Sequence, residues 1–117
     1  MLIGLGTDVC SIERLSEAIT RTPNLKERLF HENEQELSPE SLAGRFAAKE
    51  ALAKAIGNPA LLVWNEIEVT KDAHGKPSFQ LHGSSATNLS TLGAERILLS
   101  ISHDAGVAVA TVVLEAN

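Results

Sequence analysis

The sequence predicts an α+β protein in which an antiparallel sheet packs against one long helix and several shorter helices. Three observations lead to this class. The predicted elements follow in the order strand, helices, two strands, helix, two strands. Two segments, "NEIEVT" and "KPSFQLHG", alternate apolar and polar residues as half-buried strands do. A helical pattern also runs without a break from Ser38-Pro39 to Ile56.

The N-terminal half begins with an apolar stretch rich in small residues, which predicts a strand from Leu2 to about Cys10. Ser11 is a good N-cap for a helix, and apolar residues then recur at helical spacing: Ile12, Leu15, Ala18 and Ile19. The "TPN" stretch at 22–24 breaks this helix. After a short helical piece, "HENEQELSPES" is an acidic connector that we expect to be exposed.

The long helix has clear start and stop signals. Ser38 can cap it, and Pro39 suits its first turn, while Gly57 and Pro59 end it. The two alternating segments then form a hairpin around "DAHGK", and a short helix follows at 84–93. The chain closes with the strands "RILLSISH" and "GVAVATVVLE", joined by a tight turn. The last strand is apolar on both faces, so a helix or another subunit must cover it.

Composition narrows the class of protein. The 117 residues are expected to form a single domain, 1–117. Apolar residues make up 44% of the chain and can form the core of this domain, and oligomerisation would bury further apolar surface. The net charge of −5 argues against nucleic acid as a partner, and no apolar run approaches the ~20 residues of a membrane span. The start "MLIGLGTDV" lacks the basic residues of a signal peptide, and the single Cys10 reads as a small buried hydrophobe. We therefore expect a cytoplasmic protein.

Positive charge is concentrated in "GRFAAKEALAKAIG", despite the acidic balance of the whole chain. On a helix, its charged residues fall on one half and its alanines on the other; the charged set is Arg45, Lys49, Glu50 and Lys54. The simple interpretation is a solvated face with a favourable Glu50–Lys54 pair. Phe46 and Ala53 lie within the same charged arc, however, and would be exposed unless something covers them.

Asp8 stands near the end of the first apolar strand, where an unpaired carboxylate is costly to bury. It could cap the turn near Ser11, or it could face Glu50 across the packing of strand and helix. Two converging carboxylates repel each other unless a proton or a cation lies between them. A site with only two protein oxygen ligands suits Mg²⁺, which takes further oxygens from water and phosphate. Arg45, Lys49 and Lys54 of the helix would then neutralise the remaining negative charge of the phosphate groups.

Other candidates are each open to two interpretations. His103 could bind a phosphate or act in acid–base chemistry, or it could simply bond to Asp104 in the turn. Lys76 could touch a phosphate or be an ordinary hairpin lysine. Arg14, near Arg21, could receive an acidic partner helix or be solvated. The remaining histidines show no ligand spacing, so we expect surface positions and no zinc site for His31, His74 and His82.

Three motifs, "GLGTDVCSIERL", "RFAAKEALAKAIG" and "SISHDAGVAVA", together resemble the holo-acyl-carrier-protein synthases, which are small bacterial phosphopantetheinyl transferases. The resemblance spans nearly the whole chain. It implies transfer of the 4′-phosphopantetheine arm of coenzyme A to a serine of apo acyl-carrier protein, with release of adenosine 3′,5′-bisphosphate, in fatty acid biosynthesis. It also implies Mg²⁺ and a homotrimer that binds coenzyme A between neighbouring subunits.

The resemblance assigns roles to individual positions. Asp8 and Glu50 match the metal ligands, and Lys49 and Lys54 match the lysines of the middle motif. The positions near the phosphates of coenzyme A are matched by Arg45 and His103. The catalytic set implied is Asp8, Glu50, Lys54 and His103, and the serine proton would go to a metal-ordered water, to Glu50 or to His103. "SHD" departs from the family's "SHS" or "SHT" and puts Asp104 beside His103.

The resemblance also implies a docking helix for the carrier. Arg14 matches its arginine, and Leu15 and Ala18 would line the same surface. Acyl-carrier protein is acidic, so an acidic enzyme needs a local basic patch to bind it, which Arg21 could extend. Two other function classes stay open at this stage: a non-catalytic trimeric module that binds coenzyme A or carrier protein, and a metal-dependent nucleotide hydrolase.

Overall fold

The computed structural model describes residues 1–117 and confirms the predicted α+β class. Its elements follow the predicted order along the chain. They are β1 (Leu2–Ser11), α1 (Ile12–Arg21), α2 (Leu25–Leu29), α3 (Pro39–Ile56), β2 (Ile67–Lys71), β3 (Pro77–Leu81), α4 (Gly83–Leu92), β4 (Arg96–Asp104) and β5 (Val107–Glu115). Two single-turn 3₁₀ helices, Pro59–Leu61 and Trp64–Glu66, join α3 to β2. No helix is long and apolar enough to span a membrane.

The helix boundaries follow from the capping residues that the sequence offers. The Ser11 hydroxyl accepts a hydrogen bond from the backbone N–H of Arg14 at 3.2 Å. The Ser38 hydroxyl does the same for Ser41 at 3.2 Å, and Gly57 ends α3 in the left-handed conformation with φ of 79°. These caps satisfy backbone groups that a helix terminus otherwise leaves without partners. The predicted ends of α1 and α3 are therefore confirmed.

The strands form two antiparallel sheets rather than one. The main sheet has the order β1-β5-β4, and the β2-β3 hairpin is a separate sheet. Helix α3 contacts β1 and β5 of the main sheet and also contacts β2 of the hairpin. Because α3 is covered by other elements around most of its circumference, it forms the centre of the fold, and buried residues occur on all of its sides.

Close approach of α3 to β1 depends on two glycines. A Cβ atom at Gly6 would overlap the carbonyl oxygen of Ala51, and one at Gly4 would overlap that of Ala55. Small residues also line the facing side of β5, where Ala108 and Ala110 are fully buried. The helix therefore lies close enough to β1 for the next residue on the same strand face, Asp8, to reach its side chains.

The opposite face of the main sheet is open and apolar. Leu5 and Val9 of β1 are 69% and 62% exposed, and Leu98 of β4 is 38% exposed. Val109 and Val113 of β5 lie on the same face between them. Helix α3 provides the expected cover on one side of β5, while the second side of the strand is uncovered within a single chain.

Candidate functional site

The acidic pair predicted from the sequence does converge with a lysine where β1 meets α3. Asp8 pairs with Ala110 of β5 and shares the sheet face that α3 covers. The Lys54 ammonium donates to Asp8 Oδ1 at 3.0 Å and to the Thr7 carbonyl oxygen at 3.0 Å. Glu50 lies one turn before Lys54 on α3. Asp8 does not cap the turn near Ser11, so this alternative prediction is wrong. Its carboxylate accepts a hydrogen bond from Lys54 instead.

Electrostatics show how closely the two acids interact. Burial raises the pKa of Glu50, and the negative charge of Asp8 raises it further, while Lys54 opposes the shift. Burial followed by the same two carboxylates also raises the pKa of Cys10 to about 11. The Cys10 thiol is therefore protonated and buried, as predicted, and is not a nucleophile.

The donor set of this pair fits a hard divalent cation. Both groups are carboxylates, and beyond the effect of burial the charge of Asp8 raises the pKa of Glu50 more than Lys54 lowers it, so negative charge is available for a cation. Mg²⁺ binds through one or two carboxylates and completes its shell with water and phosphate oxygens. A groove of about 250 Å³ beside the pair gives room for such a ligand, and it is lined by Glu50, Ala53, Lys54, Gly57, Pro59 and Trp64. Asp8 and Glu50 are the residues that would hold the ion.

Lys49 does not lie on an outward face, so the helical projection was wrong for it. Its side chain is completely buried. The ammonium donates to Glu34 Oε1 at 2.6 Å, to the Leu29 carbonyl oxygen at 2.8 Å and to the Trp64 carbonyl oxygen at 3.2 Å. All three donor positions of a lysine are thereby used inside the protein.

Arg45, predicted on the same outward face, is also buried. Its Nε lies 3.8 Å from Glu34 Oε2, is out of contact with solvent and has no hydrogen-bond partner. Burial lowers the pKa of Arg45. Phe46 packs against Trp64 with ring centroids 6.2 Å apart, and Ala53 is buried. These two apolar residues within the charged arc were the sequence signal that this side of α3 is covered.

Glu34 is a buried acid that the sequence pattern did not reveal, because it lies in the connector that we expected to be exposed. Its carboxylate is 1% exposed. Besides Lys49, it accepts hydrogen bonds from the backbone N–H of His31 at 2.9 Å and from that of Val69 at 3.0 Å. It thereby ties the connector to both α3 and β2. No local pattern distinguishes it from the neighbouring acids of the connector.

His103 stays apart from the acidic pair within one chain. It ends β4 opposite Ala108, and β5 separates it from β1. Two strand spacings and two residues along the sheet place its Cα about 12 Å from that of Asp8. Its side of the sheet opens into a groove of about 880 Å³ that has acidic walls, contributed by Glu13, Glu17, Glu40 and Asp104.

The remaining predicted residues have mixed positions. Lys76 is exposed in the hairpin turn, where its backbone N–H donates to Asp72 Oδ1 at 2.9 Å. Arg14 and Arg21 are both exposed on α1, and Ala18 between them is half-buried. Leu15 belongs to the hydrophobic core, so the expectation that it lines an exposed docking surface is wrong.

Two histidines expected at separate surface positions lie together instead. The rings of His31 and His82 stack with centroids 4.6 Å apart, and Glu68 lies beside both. Their proximity was not visible in the sequence, because the two residues are far apart along the chain and share no spacing pattern. The cluster is separate from the acidic pair of β1 and α3.

Comparisons with known proteins agree with this architecture. Residues 4–112 match the family model of the 4′-phosphopantetheinyl transferase superfamily. The holo-[acyl-carrier-protein] synthase of Clavibacter sepedonicus is 50% identical over 115 residues, which cover 98% of this chain and 97% of that protein. The crystal structure of holo-[acyl-carrier-protein] synthase from Neisseria meningitidis has a TM-score of 0.88 at 33% identity, covering 98% of this chain and 99% of that one.

A further solved structure, the ACPS–CoA complex of Chronobacterium ammoniagenes, has a TM-score of 0.85 at 33% identity and covers 97% of both chains. The similarity thus extends over the whole length of the chain. The family match covers the strand with Asp8, the helix with Glu50 and Lys54, and the turn after His103. This chain therefore belongs to the 4′-phosphopantetheinyl transferase superfamily and is a phosphopantetheinyl transferase of its holo-[acyl-carrier-protein] synthase family.

Proposed function

We propose that this enzyme uses Mg²⁺ to move the 4′-phosphopantetheine arm of coenzyme A onto a serine of apo acyl-carrier protein, in fatty acid biosynthesis, and that it releases adenosine 3′,5′-bisphosphate. The observation that carries the proposal is the convergence of Asp8, Glu50 and Lys54 at the meeting of β1 and α3. A similar protein that binds coenzyme A supports the choice of donor.

In the proposed reaction, the serine hydroxyl oxygen forms a bond to the β-phosphorus of the pyrophosphate. The bond from that phosphorus to the bridging oxygen breaks, and the electron pair leaves with adenosine 3′,5′-bisphosphate. Lys54, whose side chain is half-exposed beside the groove, meets the charge of the phosphate oxygens. Glu50 lines the groove together with Lys54, so that it is placed to accept the serine proton, directly or through a water that it orders.

A divalent ion held by Asp8 and Glu50 would supply positive charge to the pyrophosphate oxygens when bound. The role of Asp8 is to anchor one side of this site on a rigid strand. Its carboxylate is 18% exposed and is held by Lys54, so it is oriented before any substrate arrives. Lys49 and Arg45, by contrast, lie buried beside Glu34. We propose that they stabilise α3 through this carboxylate and do not contact phosphate.

Docking of the carrier is assigned to the exposed side of α1. Arg14 and Arg21 are two turns apart on that helix and are both exposed on the same side, with the exposed Glu17 between them. An acidic helix of the carrier would be complementary to them. Ala18 lies between them and allows close approach, whereas Leu15 packs inward beneath this surface.

Assembly into a trimer is proposed to cover the open face of the main sheet. Leu5, Val9 and Leu98 form an exposed apolar surface of the kind that marks an interface. We assign coenzyme A to a cleft between two subunits, with Asp8 from one and His103 from its neighbour. This arrangement accounts for a histidine that lies about 12 Å from Asp8 within a single chain. Lys76, exposed in the hairpin turn, is proposed to contact a phosphate at the rim.

The proposed function is tested by incubating the protein with coenzyme A, Mg²⁺ and an apo acyl-carrier protein, and then weighing the carrier by mass spectrometry. The expected result is a carrier heavier by one phosphopantetheine arm, together with one adenosine 3′,5′-bisphosphate. Release of the nucleotide without a heavier carrier would indicate a hydrolase. Binding of coenzyme A without either product would indicate a non-catalytic module.

A shared cleft has a distinct signature when two defective subunits are combined. Asp8→Asn and His103→Ala variants are co-expressed with different tags, and mixed trimers are isolated by two affinity steps. If each cleft takes Asp8 from one subunit and His103 from the next, every mixed trimer contains one intact cleft, and about one third of wild-type activity is expected. Transfer activity no higher than that of the two parent variants would place both residues in the same subunit's cleft.

A further inference from the structure

A second cluster of metal-ligating side chains lies between the connector, the hairpin and the start of α4. His31 follows α2, Glu68 is the second residue of β2, and His82 links β3 to α4. One donor atom from each residue lies within 4.8 Å of the others. His82 Nε2 is 2.9 Å from Glu68 Oε1, and His31 Nδ1 is 3.8 Å from the same oxygen.

These distances are close to those of a tetrahedral zinc site. With Zn–N and Zn–O bonds near 2.0–2.1 Å, donor atoms around zinc are separated by about 3.3 Å. The observed separations of 2.9 Å and 3.8 Å lie on either side of that value. No two of the three donor atoms are more than 4.8 Å apart, so a movement of about 1.5 Å is the most that zinc binding would require. His82 is able to make such a shift because its side chain is 37% exposed.

The surroundings of Glu68 already orient it for such a role. The side-chain amide of Asn33 donates to Glu68 Oε2 at 3.1 Å, which leaves Oε1 directed at the two imidazoles. A hydrogen-bonded second oxygen is the usual support for a ligating carboxylate. The backbone N–H of Asn33 donates to His31 Nδ1 at 3.1 Å. A metal bound to that nitrogen would replace this hydrogen bond, and the N–H of Asn33 would then bond to water, because Asn33 is exposed.

We propose that His31, Glu68 and His82 form a second metal site, which binds a divalent transition-metal ion of the Zn²⁺ type with water as the fourth ligand. The choice of metal follows from the donors. Two imidazoles and one carboxylate suit zinc and its neighbours, whereas Mg²⁺ prefers oxygen ligands throughout. The site is built on different elements from the Asp8–Glu50 pair and does not depend on the proposed function.

The metal would act as a clamp. Its three ligands come from three segments, so binding ties the connector and the start of α4 to the hairpin. The backbone N–H of His31 also donates to Glu34 Oε1, the same oxygen that accepts from Lys49. Holding His31 in place therefore stabilises the connector that carries the buried partner of Lys49. Binding to the folded chain in preference to the unfolded chain raises the melting temperature.

The test uses the full chain freed of metal by a chelator. Zn²⁺ is titrated in competition with a chromophoric chelator, and the melting temperature is recorded with and without Zn²⁺. The expected result is one Zn²⁺ per chain, a higher Tm with zinc, and no displacement by a large excess of Mg²⁺. His82→Gln and His31→Asn should each weaken zinc binding at least about 10-fold.

His74→Gln is the matched control, because His74 is an exposed histidine of the hairpin turn outside the cluster. It should bind zinc as the wild type does, and so should Asp8→Asn. Co²⁺ serves as a spectroscopic probe, whose visible bands should report tetrahedral coordination in the wild type and vanish in His82→Gln. Absence of stoichiometric zinc binding by the wild type, or wild-type zinc affinity in His82→Gln and His31→Asn, would overturn the proposal.

Discussion

Replacing Asp8 by asparagine is expected to lower the rate of phosphopantetheine transfer at least about 100-fold, as the loss of one electrostatic group at a reacting centre typically does. Asparagine has the same shape and can still accept the hydrogen bond from Lys54, but it lacks the negative charge that a hard cation requires. Initial rates at saturating coenzyme A and carrier, measured across a range of Mg²⁺ concentrations, provide the test. Glu50→Gln should have an effect of the same order.

The fold should tolerate this change. The ion pair between Asp8 and Lys54 is partly solvated, since 55% of the lysine side chain and 18% of the aspartate side chain are exposed, and solvent-screened pairs contribute about 1 kcal/mol or less to stability. The exposed acid Glu32 offers a matched control, and Glu32→Gln should retain the wild-type rate. If Asp8→Asn retained full activity at every Mg²⁺ concentration, the assignment of the acidic pair as the metal site would be abandoned.

Replacing Lys49 by methionine is expected to lower the free energy of unfolding by about 3–5 kcal/mol, the usual cost of removing one partner from a buried ion pair. Methionine fills much of the same volume, but the Glu34 carboxylate then loses its closest cation while 1% exposed. Two backbone carbonyl groups, those of Leu29 and Trp64, also lose their donor. Urea unfolding at one fixed protein concentration measures the change.

Lys54→Met provides a matched control on the same helix. Because 55% of the Lys54 side chain is exposed and solvent screens its charge, its loss should cost about 1 kcal/mol, well below the cost at Lys49, even though Asp8 and Glu50 are then left unopposed. Adding Glu34→Gln to Lys49→Met should restore part of the lost stability, since a neutral amide is less costly to bury than an unpaired carboxylate. Equal losses from Lys49→Met and Lys54→Met would show that the buried pair has no special energetic role.

Local chemistry accounts for the success of the secondary-structure predictions. Ser11, Ser38 and Gly57 act within one helical turn of their own positions, so their effect on helix ends can be read from the sequence. Alternation of apolar residues likewise predicted the hairpin and β4, and a run that is apolar on both faces predicted β5. The acidic pair was also a reasonable prediction. A carboxylate on an apolar strand is costly to bury without a partner, and the second carboxylate lies on an alanine-rich helix among positive charges.

The orientation of Lys49 shows where such arguments end. Helical spacing places Lys49 opposite the alanine face, but it contains no information about what covers that opposite side. In the structure the connector, α2 and the first residues after α3 do so, and they supply Glu34, Leu29 and Trp64 as partners. Burial lowers the pKa of Lys49, and Glu34 opposes that shift, so the partners offset part of the cost of burying the charge, whereas the same side chain without partners would stay in water.

The sequence alone determined the order and ends of the helices and strands and marked Asp8 and Glu50 as candidates for one site, because capping, periodicity and the cost of burying charge act over short distances or on single residues. Tertiary structure decided that Glu34 and Lys49 meet inside the protein, that His31 and His82 lie side by side, and that His103 stands apart from Asp8. Such meetings depend on how separate segments pack in three dimensions. That packing reflects the shape of the whole core rather than any local pattern.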